Sequence, residues 1–238
     1  MLAVDIEKMR KLDYRTNEAY KTLRTNIQLC GSDMKVIMFT SSTPNEGKSS
    51  VSFNLAVSLA ESGKRVIFVD ADLRKSVLVG RYKINKKIRG LSHYLSGMCN
   101  FSEAVCATNV DNFHVIFSGV VPPNPSELLG NKTFEALIMM LRGEYDYVII
   151  DTPPLGNVTD ASVVATQCDA AVFVVCAHSI SYKFAQRAIE QLKMAGIKIL
   201  GVVLNKVDLS GNSYYGRYYG NYYGRYYGKY YGNYGDDE

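Results

Sequence analysis

Apolar and polar residues change their period several times along this chain. Residues 13 to 29 alternate charged and apolar positions at helical spacing, with Tyr20, Leu23 and Ile27 on one face. That spacing predicts an amphipathic helix ahead of the core. Short apolar runs follow at Val36–Thr40, Val66–Asp70, Phe113–Phe117, Tyr147–Asp151, Ala171–Cys176 and Ile199–Leu204, each bounded by Gly, Pro or Asp. These read as buried strands. Helix-length segments lie between most of them, at Lys48–Ser62, Lys132–Leu141, Asp160–Gln167 and Tyr182–Ala195. The alternation predicts an α/β fold, a doubly wound and mostly parallel sheet covered on both faces.

After Asp208 the pattern stops. A four-residue repeat of the form Y-Y-G-x takes over, with tyrosines at Tyr214, Tyr215, Tyr218, Tyr219, Tyr222, Tyr223, Tyr226, Tyr227, Tyr230, Tyr231 and Tyr234. Glycine recurs too often there for a stable helix, and no aliphatic residue is present to build a core, so a disordered tail is expected. Its charges cancel, Arg217, Arg225 and Lys229 standing against Asp236, Asp237 and Glu238. Three regions follow: an N-terminal helix region at 1–30, a core domain at 31–210 and a tyrosine cluster at 211–238.

Composition narrows the function classes. At 238 residues, with 47% apolar and 21% charged residues, the chain suits one α/β domain with a real core. A net charge of +4 without a clustered basic face does not favour nucleic-acid binding. The longest apolar stretches, such as Ala170–Ala177, fall far short of the roughly 20 residues a membrane-spanning helix needs, and no signal peptide is evident. Five cysteines without a C-x-x-C pair suit buried reduced thiols in a cytosolic protein.

The chemistry concentrates at strand ends. The segment T-S-S-T-P-N-E-G-K-S-S, Thr40 to Ser50, follows one predicted strand and opens a helix, as a phosphate-binding loop does. A triphosphate needs inward-pointing amides, an ammonium for its β and γ oxygens, and a hydroxyl for Mg²⁺. The loop amides of Pro44-Asn45-Glu46-Gly47 and Ser50, with Lys48 and Ser49, are the candidates for ATP, although proline itself lacks an N–H and Ser42 stands where the general pattern has its first glycine. A second element, V-I-F-V-D-A-D-L-R, sets Asp70 and Asp72 at the carboxyl end of the next strand, where open parallel sheets bind ligands. A third, Y-D-Y-V-I-I-D-T-P-P, ends a strand in Asp151, the position from which a Walker-B carboxylate holds Mg²⁺. Ser49, Asp72 and Asp151 are thus the candidate metal ligands. The run N-K-V-D from Asn205 fits a guanine reader of GTPases, yet Asp151 does not open the D-x-x-G of such a switch, being followed by Thr152, Pro153 and Pro154, and Asn205 can equally contact an adenine.

Taken together, the P-loop at 40–50, D-x-D-x-R at 70–74, D-T-P-P from 151 and the C-terminal tyrosine cluster resemble the bacterial tyrosine autokinases of capsule and exopolysaccharide synthesis. The core elements alone also resemble the partition and division-site ATPases with deviant P-loops, but those have an extra Lys where this chain has Thr43. The autokinase resemblance implies an ATP- and Mg²⁺-dependent protein-tyrosine kinase that modifies its own tail, in trans between subunits. It gives catalytic roles to Lys48, Asp70, Asp72 and Asp151, with either Asp70 or Asp72 as the base. It implies a subunit ring built by an E-x-x-R-x-x-R helix, here Glu18, Lys21 and Arg24 with Lys replacing the first Arg. Its further implications are a membrane adaptor that recruits a cytoplasmic chain to the inner face of the membrane, a cognate tyrosine phosphatase, and no nucleic-acid partner. A regulatory ATPase and a GTP-dependent switch are the competing readings.

Overall fold

A computed structural model describes residues 1–6, 12–82, 84, 88–156 and 159–208. The expected tyrosine tail lies outside the described residues. In chain order these residues form β1 (Leu2–Val4), α1 (Tyr14–Leu29), β2 (Val36–Ser41), α2 (Lys48–Glu61), β3 (Val66–Asp70), α3 (Leu78–Arg81), α4 (Leu91–Leu95), α5 (Phe101–Ala104), β4 (Val105–Thr108), β5 (Phe113–Ile116), α6 (Pro125–Leu129), α7 (Lys132–Glu144), β6 (Tyr147–Asp151), α8 (Asp160–Ala165), β7 (Ala170–Cys176), α9 (Tyr182–Met194) and β8 (Lys198–Asn205).

The strands form one sheet in the order β1-β4-β5-β3-β6-β2-β7-β8. All pairings are parallel except β4 with β5. Period-two alternation along β2 divides the interior. Val36 and Met38 join Phe134, Leu137 and Leu141 of α7, Val164 of α8 and Leu192 of α9 on one face. Ile37 and Phe39 meet Val51, Leu55 and Leu59 of α2 and Ile27 of α1 on the other. Burying both faces is why the central strands read as unbroken apolar runs. Phe53 of α2 anchors the second layer, stacking on Tyr82 and meeting Phe68 and Phe113 edge-on.

Polar residues mark where helices begin. Asp13, Asn131 and Ser181 each accept a hydrogen bond from the main-chain N–H three residues on, at Thr16, Phe134 and Phe184, capping α1, α7 and α9. The face of α1 expected to be apolar does pack inward: Ile27 is buried, and Tyr20 and Leu23 lie half-buried against the α2 layer. Among the described residues no helix is long and apolar enough to cross a membrane. No disulfide joins any of the five cysteines, and only Cys106 is buried; the other four are half-buried.

The parallel arrangement turns the carboxyl ends of β3, β6, β2, β7 and β8 to one edge of the sheet. The register then brings particular side chains together there, pairing Asp70 of β3 with Asp151 of β6, and Asp151 with Phe39 of β2.

Candidate nucleotide site

The loop between β2 and α2 folds back on itself because two residues enter the left-handed region, Asn45 at φ 67° and Gly47 at φ 93°. Glycine is required at 47 for a second reason. A Cβ there would stand 2.1 Å from Nδ2 of Asn205. That amide donates to the Glu46 carbonyl at 2.9 Å, and the Lys206 ammonium donates to the Asn45 carbonyl at 2.8 Å. The chain just after β8 therefore braces the loop from outside.

Glu46 braces it from within. Its buried carboxylate accepts from the Thr43 amide at 2.6 Å and from the Cys176 amide at the end of β7 at 3.4 Å. Of this candidate nucleotide ligand, only the main chain is left to face a ligand. Both braces leave the first amides of α2, a 14-residue helix, at an open N-terminus, where orphan donors and the helix dipole favour an anion. Ser50, at the same end, accepts from the Arg81 guanidinium at 2.6 Å.

Lys48 points from the first turn of α2 into the carboxylates. Its ammonium lies 3.1 Å from Asp72 Oδ2, 3.4 Å from Asp151 Oδ2 and 3.2 Å from the Ser49 hydroxyl. Burial alone would lower its pKa, but the charges of Asp151 and Asp72 outweigh burial and hold it above the ordinary lysine value. Burial raises the carboxyl of Asp151, an effect the nearby ammonium only partly offsets. Asp70 is raised to about 7, by burial first and by the neighbouring Asp151 charge second. Its Oδ2 accepts a short hydrogen bond from the Ser76 hydroxyl, and its Oδ1 faces the Asp72 amide.

Three carboxylates against one ammonium leave this pocket with an excess of negative charge. One oxygen, Asp151 Oδ1, is buried with no hydrogen-bond partner, a costly state that a ligand would relieve. The donor set around it, two carboxylates and the Ser49 hydroxyl, consists of hard oxygens, the type that Mg²⁺ takes. The residues present fit that ion.

One contributor carried no motif. Asp160, fully buried at the start of α8, accepts two hydrogen bonds from Arg74, from Nε at 2.8 Å and from Nη2 at 3.0 Å, and a short one from Ser126 of α6. Burial would raise its pKa, but Arg74 and Ser126 overcome that and hold it below the usual carboxylate range. The clamp fixes the strand-end segment that carries Asp72. Only an aspartate at a helix start could have pointed to it from sequence, and that pattern usually signals a cap.

The three residues expected at a subunit interface lie along α1, where each already has a partner within the chain. Glu18 and Lys21 pair with each other at 2.7 Å on the surface of α1. Arg24 instead turns inward, donating to the Ser58 carbonyl of α2 at 2.9 Å and to its hydroxyl at 3.2 Å. The guanidinium is thus engaged within its own chain.

Residues 34–200 match the AAA domain family. Tyrosine-protein kinase CpsD of Streptococcus pneumoniae serotype 4 is 45% identical over 207 residues, 86% of this chain and 91% of that one. The kinase domain of the Escherichia coli tyrosine kinase ETK superposes with a TM-score of 0.75 at 33% identity, covering 83% of this chain and 79% of that one. The septum site-determining protein MinD of Pyrococcus horikoshii, solved with Mg-ADP, superposes with a TM-score of 0.63 at 26% identity over 76% of this chain and 72% of that one. A P-loop, acidic strand ends and identity sustained over most of the length converge: the chain belongs to the bacterial tyrosine-protein kinases, built on an AAA-type nucleotide-binding domain.

Proposed function

We propose that this kinase uses Mg-ATP to phosphorylate the tyrosines of its own C-terminal cluster, residues 214–234, in trans between subunits, and so regulates the synthesis and chain length of a capsular or extracellular polysaccharide. The observation that carries the reading is the convergence of Lys48, Asp70, Asp72 and Asp151 on one sheet edge, beside a helix N-terminus, in a chain that ends in eleven closely spaced tyrosines.

The loop amides and Lys48 would hold the phosphates of ATP, with the adenine near Asn205. Ser49, Asp72 and Asp151 would hold Mg²⁺, which when bound supplies charge neutralisation on the phosphates. Lys48 then serves twice, neutralising the carboxylates before nucleotide arrives and turning to the phosphates once they bind. The acceptor is a phenol with an ordinary pKa of about 10, so its proton must leave as its oxygen attacks. Asp70, poised near neutrality and one hydrogen bond from Ser76, accepts that proton. The new bond joins the phenol oxygen to the γ-phosphorus, the bond from that phosphorus to the β–γ bridging oxygen breaks, and ADP leaves with the electron pair.

The same resemblance supports the remaining parts of the reading. They are a ring of subunits joined through the α1 region, a membrane adaptor that recruits and activates the kinase at the inner face of the membrane, and a tyrosine phosphatase that resets it. The likeness to MinD supports a second reading, a regulatory ATPase that releases free phosphate. Purified protein incubated with labelled ATP or GTP and Mg²⁺ separates them. Label retained on tyrosines 214–234 from ATP is the expected outcome, and Lys48→Met abolishes it while leaving the circular dichroism spectrum unchanged. Free phosphate without labelled tyrosine, or a preference for GTP, would overturn the proposal.

A further inference from the structure

Beside the carboxylates, a cleft of about 470 Å³ opens between the segment after β3 and the segment after β5. Ser76, Val79, Ile88, Phe117, Val120 and Val121 line it, with Lys75 at its edge. Ser76 is shared between the two places: its hydroxyl bonds Asp70 while its residue forms part of the cleft wall. The cleft is therefore a side chamber of the site rather than a separate hollow.

Its floor is held firmly. The Phe117 and Ser118 carbonyls accept from the Leu91 and Ser92 amides at 2.7 and 2.9 Å. The backbones approach so closely that a Cβ at Gly90 would lie 2.3 Å from the Phe117 carbonyl oxygen. From that floor the chain rises into Val120 and Val121, 59% and 69% exposed, followed by Pro122, Pro123 and Pro125. Two valines held out to water on a stiff, proline-rich loop, in a cleft also lined by the 37% exposed Val79, are costly to solvate and suit an apolar guest.

We infer that this cleft seats the aromatic ring of a tail tyrosine adjacent to the one being phosphorylated, so that the enzyme recognises Tyr-Tyr doublets rather than single tyrosines; this rests on the tyrosine-kinase reading above. The tail supplies five such doublets, and Tyr234 alone has no tyrosine beside it. Successive side chains of an extended chain point to opposite sides, so a doublet can send its two rings to two separate pockets from one backbone position. A phenol suits a chamber with valine walls and a serine and a lysine at its margin, because its ring is apolar and its hydroxyl is not. Reach permits it. Four to five strand spacings of about 4.8 Å separate β8 from the cleft between β3 and β5, roughly 19 to 24 Å, and the ten residues from Asp208 to Tyr218 extend to at most about 35 Å. Later doublets exceed that distance with ease, whether the cleft belongs to the same chain or to a neighbour.

The test uses full-length enzyme whose tail tyrosines are replaced by serine, with added peptides as acceptors. The peptide Gly-Arg-Tyr-Tyr-Gly-Asn should show a KM about tenfold below those of its Tyr-Ser and Ser-Tyr counterparts. Val120→Ser combined with Val121→Ser should remove that advantage, the loss falling on KM, while binding of a fluorescent ADP analogue stays unchanged. Val79→Ser, made separately, should give a smaller shift in the same direction. In the native chain, mass spectrometry over time should find Tyr234 modified last. Equal KM values for doublet and single peptides, or an undiminished preference in both variants, would overturn the inference. Absence of any phosphotyrosine with the unaltered cleft would instead overturn the kinase assignment beneath it.

Discussion

Asp70, the base in the proposed transfer, is held in place at the expense of the fold. Its carboxyl sits in a buried position beside Asp151, and both burial and that neighbouring charge raise its pKa to about 7, against an ordinary 3.8. In the unfolded chain the same group ionises freely near its ordinary value. Between about pH 4 and pH 7 the unfolded state thus binds fewer protons than the folded one, so the stability contributed by this group is complete in acid and is lost as the pH rises through 7. Asp70→Asn should therefore raise the melting temperature by about 2–4 °C at pH 8, a gain of about 1 kcal/mol that vanishes near pH 4. Differential scanning fluorimetry across that range reads it. The same substitution should lower tail phosphorylation at least a hundredfold, and the rate of the unaltered kinase should climb with pH through a midpoint near 7. A flat pH profile would remove Asp70 from the proton transfer.

Between elements, the pair of Arg74 and Asp160 ties three parts of the chain together: the segment after β3, the start of α8 and, through Ser126, helix α6. Because Asp160 is fully buried, its charge is tolerated only while Arg74 reaches it. Arg74→Ala should cost about 2 kcal/mol, less than a wholly buried pair would, since the guanidinium itself is partly exposed to water. Urea unfolding measures this, and Arg74→Lys should restore only part of it, because an ammonium cannot engage both carboxylate oxygens in parallel. Such a contact also marks the limit of what a one-dimensional pattern conveys. Six strands and four long helices were legible because each carries a continuous apolar run or stripe, buried on both faces in β2, β3 and β6 and left half-exposed in the edge strand β8. Strands β1 and β4 were not, since Leu2–Val4 and Val105–Thr108 are three- and four-residue pieces whose character comes from pairing, the edge strand β1 with β4 and β4 in turn with β5. The strand-end residues Asp70, Asp72 and Asp151 and the loop at Lys48 were legible because a motif fixes both their identity and their place on the sheet. Asp160, Ser76 and the inward turn of Glu46 and Arg24 were hidden, because each depends on a partner 3 to 130 residues away that no local rule names.

For the whole molecule, the proposed self-phosphorylation raises the question of which copy would receive the phosphate. The tail leaves from the edge of the sheet that carries the site, and its length permits both routes, so a mixing experiment decides. A chain carrying Lys48→Met with an intact tail, incubated with full-length active chain whose tail tyrosines are serine, should become phosphorylated at a rate that rises with the concentration of the active copy. An unlabelled Lys48→Met chain would confine transfer to a single subunit. Each phosphate adds about 1.5 to 2 negative charges to a tail whose own charges nearly cancel, so a doublet modified twice becomes a dense anionic point.

The root of that tail is fastened to the catalytic loop. Asn205 and Lys206 grip the carbonyls of Glu46 and Asn45 only a few residues before the repeat begins. Traction on the terminus, whether from a captured phosphorylated segment or a docked companion, would be transmitted along this short tether to the cradle itself. Spent nucleotide would then leave at a pace set by who holds the other end, making the terminus a rein on turnover as well as its target.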